Sequence, residues 1–287
     1  MVKLADSDIA TREVLEWTGV HLFHFHASSC SQKTRIALNF KKADWTSHEI
    51  VLPKNENMTP WYLGINPRGL VPVLVMDGEV HIESNDILTV LEQRLGGEPL
   101  IPEGMEGRVA ELLRHEDDLH LDLRTLTFRF TQPRGRAPKS PEALAQYRAG
   151  GTGTVGGVAD PNKQREIAFW EHIAEHGITD DAVRVSAGRF REALDDLDSA
   201  LSSADYVLGS KLSVVDIAWF IYVNRLIRCT YPVAKLHPAV MRWFERLREL
   251  PQFAPEIRVP PDVQAATEEN HRKQAAAGES LCDVTGF

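Results

Sequence analysis

Four consecutive residues, Ser28, Ser29, Cys30 and Ser31, stand out chemically in the run HASSCSQKTRIAL. An alternating apolar stretch precedes them and a helical pattern follows, so they fall where a strand ends and a helix begins. Backbone N–H groups at such an end lack intrahelical acceptors, and the helix dipole adds partial positive charge, so a thiolate held there is stabilised. A serine hydroxyl donating to the sulfur favours the ionised form and lowers the thiol pKa. A drop of about two units corresponds to about 2.7 kcal/mol of preference for the thiolate. The plainer use of the same serines is to cap the helix.

Two further segments carry ligand-binding chemistry. In INPRGLVPVLVMDGE (65–79), Pro72 opens a strand, where it cannot donate to the ladder and must sit at an edge or a bend. With Val71-Pro72 in cis, the Val71 backbone would face outward and pair with a peptide ligand as an added strand does; a trans proline at an edge is the ordinary alternative. In GEVHIESNDILTVLEQ (78–93), Glu83 and Ser84 end a strand and open a helix. The Ser84 hydroxyl and N–H suit a carboxylate at a helix N-terminus, and Glu83 suits an ammonium. Together they could hold the zwitterionic end of a γ-glutamyl group, although a plain N-cap is the commoner use of such a serine.

In this order and spacing, SSCSQKTRIAL, NPRGLVPVL and ESNDILTVLEQ resemble the thioredoxin-like domain of cytosolic glutathione transferases. GSKLSVVDIAWF (209–220) resembles the capping motif of their helical domain, with Ser213 as N-cap and Asp216 as N3. The resemblance covers roughly residues 20–255, apart from an unmatched insert at 131–160. It implies glutathione as cosubstrate and no metal. Ser28, seven residues before Arg35, falls on the catalytic position, with Ser29 beside it. Val71 and Pro72 fall on the pair that contacts the cysteinyl backbone, Glu83 and Ser84 on the γ-glutamyl site. Lys54, in the loop before Pro72, is the candidate for the glycyl carboxylate. The run SSCS is similar to the zeta class, in which the first serine activates the thiol. Bacterial lignin β-etherases and the ganglioside-induced differentiation-associated branch are also similar. Val90 departs from the family, which often has tyrosine there.

The implied activity is attack of the glutathione thiolate on a small hydrophobic or aromatic electrophile, possible reactions including β-aryl-ether cleavage. The alternatives are a glutathione-dependent cis–trans isomerase of zeta type and a non-enzymatic adaptor on the same fold. The electrophile is expected between the first domain and a 106–130 helix carrying His115, His120, Arg124 and Phe128, beneath the 131–160 insert. Arg228 matches a zeta-class arginine that binds a substrate carboxylate; a cation stabilising a helix C-terminus is the plainer reading and the favoured one. The family also implies a homodimer in the cytoplasm.

The elements that must position these residues follow from periodicity. Strands read at 21–26, 45–52, 71–77 and 79–83, the last two joined at the hairpin dipeptide Asp77-Gly78. Helices read at 30–42 and 84–95. The order βαβ then ββα predicts an α/β thioredoxin-like domain with a mixed four-stranded sheet at 20–97, after an N-terminal extension (1–19) in which 8–17 could form a short helix. A Gly/Pro-rich linker (98–105) leads to an all-helical domain at 106–255. Its helices are expected at 106–130, at 162–176 with Asp160 as N-cap and Pro161 in the first turn, and at 181–203, 213–229 and 237–249. The insert reads as a long loop, a functional lid or disordered. The tail, 256–287, reads as a poorly packed extension.

Composition restricts the alternatives. Hydrophobic residues make up 43% and charged residues 25% of 287, the range of a soluble globular protein. A net charge of −9 argues against a nucleic-acid partner. No apolar run reaches the length of a membrane span, and the acidic N-terminus is not a secretory signal. Three widely spaced cysteines make no disulfide framework. His21, His24 and His26 suggest a metal cluster, but only two of them share a strand face and no carboxylate or thiol clearly joins them. GGTGTVGG (150–157) has the glycines of a phosphate loop without its strand or GK[ST]. Cys30 reads as half-buried in the first helix rather than redox-active.

Overall fold

A computed structural model describes residues 2–132 and 139–287. In chain order the elements are β1 (Val2–Lys3), β2 (Val20–His24), α1 (Ser29–Lys41), β3 (Thr46–Glu49), α2 (Pro60–Leu63), β4 (Val73–Met76), β5 (Glu79–Ile82) and α3 (Ser84–Arg94). There follow α4 (Glu106–Asp117), α5 (His120–Thr131), α6 (Pro141–Ala149), β6 (Thr154–Val155), β7 (Val158–Ala159) and α7 (Asn162–His176). The last are α8 (Asp180–Leu201), α9 (Val214–Arg228), α10 (Val233–Leu236), α11 (Pro238–Arg248), α12 (Pro261–Ala276) and α13 (Leu281–Thr285). The chain forms two compact units. One is Met1–Gly97 with Ala137–Gly177, the other Glu98–Arg136 with Ile178–Phe287.

The first unit is built on a mixed sheet of order β1-β5-β4-β2-β3, in which β2 and β3 are parallel and the other pairs antiparallel. The sheet expected from the sequence thus gains a fifth strand: Val2 and Lys3, assigned to an extension, pair with Ile82 and His81. The remainder of that extension forms 3-10 turns at Asp6–Asp8 and Arg12–Glu16, and buries Leu4, Ile9 and Val14 in the core under Phe23, Val73 and Val75. Helices α1 and α3 pack together, and the buried Lys41 ammonium meets Glu92 at 2.6 Å between them.

From residue 139 on, the insert is a folded part of this unit. The lid or disordered loop expected at 131–160 is corrected over its described residues, while 133–138 lie outside them. Ala143 and Tyr147 of α6 and Ile167 of α7 share a core with Met58 and Leu63. Tyr147 lies so close to Gly69 (φ +61) that an added Cβ there would come within 2.8 Å of its ring and 3.0 Å of the Asn57 carbonyl. Only glycine tolerates both that backbone and that approach. The glycine-rich run does bind an anion, but one of the protein's own. The buried Asp8 carboxylate accepts from the Gly156 N–H (2.7 Å), the Gly157 N–H (3.0 Å) and the Thr154 hydroxyl (2.7 Å) at the β6–β7 turn.

The second unit is helical. Helix α9 is buried on all sides until its last turns and packs against α4, α5 and α11. Its capping box is the one expected: Asp216 accepts from the Ser213 N–H and hydroxyl, and also from Val207 N–H and Trp243 Nε1. Burial pushes the Asp216 carboxyl up, against the pull of those donors. The expected 106–130 helix is two, α4 and α5, broken at Asp118-Leu119 so that Leu119 joins the core. The tail is also ordered differently from expectation. It lacks a broad apolar stripe, and docks instead through side-chain amides that donate to the orphan carbonyls ending α5: Asn270 to Phe130 and Gln132, Gln274 to Arg129. Among the described residues no helix is long and apolar enough to cross a membrane.

Candidate functional site

Strand directions bring the chemical segments of the first unit to one end of the sheet. β2 runs toward that end and leaves it at His24; β4 starts there, with Val73 opposite Phe23; β5, antiparallel to β4, finishes there; β3, parallel to β2, finishes there at Glu49. Ser28, Val71-Pro72, Glu83-Ser84 and the loop carrying Lys54 therefore all emerge at the same end.

Ser28 is the N-cap of α1. Its hydroxyl oxygen accepts from the Ser31 N–H at 3.3 Å, and its carbonyl accepts from Gln32. Capping and thiolate donation are compatible, because the cap uses a lone pair and leaves the O–H available. Ser29 and Cys30 occupy the first turn, both half-buried. The loop that presents them is held by the buried Arg35, whose guanidinium donates to the carbonyls of Phe25 (3.3 Å) and His26 (2.9 Å) and to His24 Nδ1 (3.1 Å). Since arginine cannot accept, His24 Nδ1 is the acceptor and its Nε2–H donates to Ser47 Oγ at 2.7 Å. Burial, reinforced by Arg35, lowers the His24 pKa to about 4. The three N-terminal histidines are thus taken up separately: His21 meets His48, His24 meets Arg35, His26 meets Glu49. Among the described residues no group of three or more His, Cys, Asp or Glu is placed to hold a metal.

Val71-Pro72 is cis. Three consecutive carbonyls ahead of it are tied down: Arg68 O by the Tyr147 hydroxyl, Gly69 O by Asn57 Nδ2 (2.7 Å), Leu70 O by the Tyr62 hydroxyl (2.6 Å) and Asn66 Nδ2 (2.8 Å). Val71 lies beyond the β2–β4 ladder, whose last pair is Phe23 with Val73. Lys54 is exposed at the end of a 3-10 turn, Leu52–Lys54.

At the third segment Glu83, rather than Ser84, occupies the N-cap position of α3, with φ +68 and no side-chain capping bond; Ser84 is the first helical residue and is buried. Left-handed backbone in a non-glycine residue is uncommon and often found at ligand sites. The Glu83 carboxylate pairs with Arg68 Nη1, and Arg68 in turn is gripped by Asp160 through Nε (2.8 Å) and Nη2 (2.9 Å). Burial works against the Arg68 charge, but Asp160 and Glu83 outweigh it and raise its pKa. Asp160 is therefore not the expected N-cap of α7; Pro161 takes that position. Neither Arg68 nor Asp160 carries a local sequence signal for this role, and Arg35 shows only its spacing from Ser28.

In the second unit, His115 is exposed on α4 with its ring 6.1 Å from that of Trp219. Arg124 lies over the Phe128 ring at 5.9 Å on α5. His120 Nδ1 is 3.0 Å from the Tyr222 hydroxyl. Arg228, half-buried on the last turn of α9, has no ion pair among the described residues; burial lowers its pKa. Its neighbour Cys229 is fully buried, which pushes the thiol up to about 12 and keeps it protonated. Val90, the departure from the family pattern, is buried in α3.

Residues 27–94 match the family model of the glutathione S-transferase N-terminal domain, and residues 171–246 that of the C-terminal domain. Together they span half of the chain, which belongs to the glutathione S-transferase superfamily. Members of this family use glutathione as cosubstrate. A zeta-class glutathione S-transferase of Euphorbia esula is 42% identical over 81 residues, covering 28% of this chain and 36% of the plant protein. The chain thus spans little more than a third of that relative. A tetrachloro-p-hydroquinone reductive dehalogenase of Sphingobium chlorophenolicum is 24% identical over 82% of this chain and 94% of its own. The β-etherase LigF from Sphingobium sp. strain SYK-6 shares the fold with a TM-score of 0.67 at 22% identity, over 83% of this chain and 98% of its own.

Proposed function

We propose that this protein is a glutathione S-transferase that activates the glutathione thiol with Ser28. The observation that carries this reading is the convergence of Ser28, cis Val71-Pro72 and Glu83-Ser84 at one end of the sheet. In it the Ser28 O–H donates to the sulfur while the N-terminal amides of α1 stabilise its charge. The Val71 backbone pairs with the cysteinyl residue as an added strand would. Ser84 and the first amides of α3 take the γ-glutamyl carboxylate, Glu83 its ammonium, and Lys54 the glycyl carboxylate. Fixing the tripeptide at several points replaces a bimolecular encounter with an oriented one. The thiolate then attacks an electrophilic carbon and the leaving group departs with the displaced electron pair. An aromatic or hydrophobic electrophile is supported by the relatives' names, a hydroquinone dehalogenase and a β-etherase. His115, Arg124, Phe128 and Arg228 are the residues proposed to contact it. The family's usual state, a cytoplasmic homodimer, belongs to the same proposal.

The test is calorimetry with glutathione, combined with ultraviolet absorbance of the bound thiolate against pH. The wild type should bind glutathione and lower its thiol pKa by about two units, worth about 2.7 kcal/mol. Ser28→Ala should retain binding, return the pKa toward that of free glutathione, and cut turnover at neutral pH by about a hundredfold. Full glutathione-dependent turnover in Ser28→Ala would overturn the role of Ser28; no binding at millimolar glutathione would favour an adaptor.

A second reading is favoured by Arg228, a half-buried cation without an acidic partner among the described residues. In a glutathione-dependent cis–trans isomerase it would hold a substrate carboxylate. That reading requires turnover without net consumption of glutathione, lost in Arg228→Ala.

A further inference from the structure

The insert contributes a carboxylate to the end of the sheet that carries Glu83. Asp160 holds Arg68 by both arms of its fork, Nε to Oδ2 at 2.8 Å and Nη2 to Oδ1 at 2.9 Å. The Arg68 and Asp160 side chains are nearly buried, 11% and 9% exposed, whereas Glu83 remains 37% exposed. Arg68 reaches Glu83 through its remaining nitrogen, Nη1, and only at Oε1. The Glu83 Oε2 makes no hydrogen bond among the described residues. Asp160 is itself braced: Asn162 Nδ2 donates to its Oδ1 at 3.1 Å, and the hairpin leading into it is pinned by Asp8.

We propose that Asp160 is a positioning residue for Glu83, and that the insert thereby sets the preference of this site for a ligand bearing an ammonium group. The inference rests on the glutathione reading above. Glu83 and Arg68 alone form a neutral pair, which has little reason to attract a cation. Asp160 restores one net negative charge to the group. It also occupies the bidentate fork, so Arg68 cannot close on both oxygens of Glu83. Glu83 Oε2 then stays available to the γ-glutamyl ammonium. The Arg68 Nη1 bond to Oε1 restrains the carboxylate, on a residue whose backbone has positive φ.

The experiment compares glutathione with its deaminated analogue, glutaryl-cysteinyl-glycine, by calorimetry on the full chain. Wild-type binding of glutathione tests the parent reading: without it, that reading fails and this one with it. Given binding, Asp160→Asn should weaken glutathione by about tenfold and leave the analogue within about twofold, while Asp160→Glu should retain the wild-type preference. The double variant Arg68→Gln/Asp160→Asn again leaves one net negative charge on the group and should recover the preference lost in Asp160→Asn. It also serves as the test if Asp160→Asn does not fold. Equal weakening of both ligands in Asp160→Asn, unchanged affinity for both, or no recovery in the double variant would overturn the proposal.

Discussion

Replacing Asp8 by asparagine should release the β6–β7 hairpin while leaving the sheet beside it intact. The carboxylate is fully buried and accepts from Ala5 N–H (2.8 Å), Gly156 N–H (2.7 Å), Gly157 N–H (3.0 Å) and the Thr154 hydroxyl (2.7 Å). A hydrogen bond to a charged acceptor contributes roughly 1.5–3 kcal/mol. In asparagine one of the two positions becomes an NH2 facing donors. If it replaces Oδ2, the Ala5 and Gly156 bonds are lost; if Oδ1, Thr154 can turn its hydroxyl to accept and Gly157 keeps only its longer bond to Oδ2, 3.3 Å. The bonds that remain lose their charge assistance. A cost of about 3 kcal/mol follows, reduced from the full sum because water can reach the exposed glycine amides. Each strand of the hairpin is two residues long, so the loss should appear as local opening. Amide exchange at residues 154–160 should accelerate about a hundredfold, with β4 unchanged, read by hydrogen–deuterium exchange. The pH dependence has a definite sign. Burial raises the Asp8 carboxyl, but Thr154, Ala5, Gly157 and Gly156 outweigh it and hold the pKa below the ordinary value. A depressed acid contributes stability above its unfolded pKa and loses it as pH falls through the folded one. Protection of the wild-type hairpin should therefore fall in acid below about pH 4. Exchange at 154–160 that is unchanged in Asp8→Asn would show that the Asp8 carboxylate does not anchor the hairpin.

Two further predictions concern the clamp behind Ser28 and the cap of α9. His24, with its pKa lowered to about 4 chiefly by burial and then by Arg35, binds its proton later in the folded chain than in the unfolded one, where the value is about 6.5. Its contribution is complete above pH ~6.5 and declines, by about 3 kcal/mol at most, as pH falls to about 4; an NMR titration of His24 with a midpoint near 6.5 would contradict the buried clamp. Asp216→Ala removes the acceptor of four hydrogen bonds and strands the buried Trp243 and Ser213 donors, so unfolding free energy should drop by about 3–5 kcal/mol. A drop under about 1 kcal/mol in urea titration would show that the box is dispensable.

Local chemistry determined much of this protein from its sequence. Asp77-Gly78 specifies a hairpin, Ser213-x-x-Asp216 specifies a helix start, and Ser28 and Glu83-Ser84 mark strand-to-helix turns, because in each case a few adjacent residues supply both the conformation and the hydrogen-bonding groups. The ordered motifs identified the family for the same reason. Tertiary structure decided where distant groups meet. Asp160 has the sequence position of a helix cap, yet its carboxylate grips Arg68, ninety-two residues away in the chain. The glycines at 156–157 have the composition of a phosphate loop, yet the anion they hold is Asp8. The tail has no strong apolar period, yet it docks by donating amide hydrogens to the end of α5. Periodicity and turn chemistry act over a few residues and report which face is buried. The choice among many available acids, amides and carbonyls depends on which elements pack together, and that is settled only when the chain is folded.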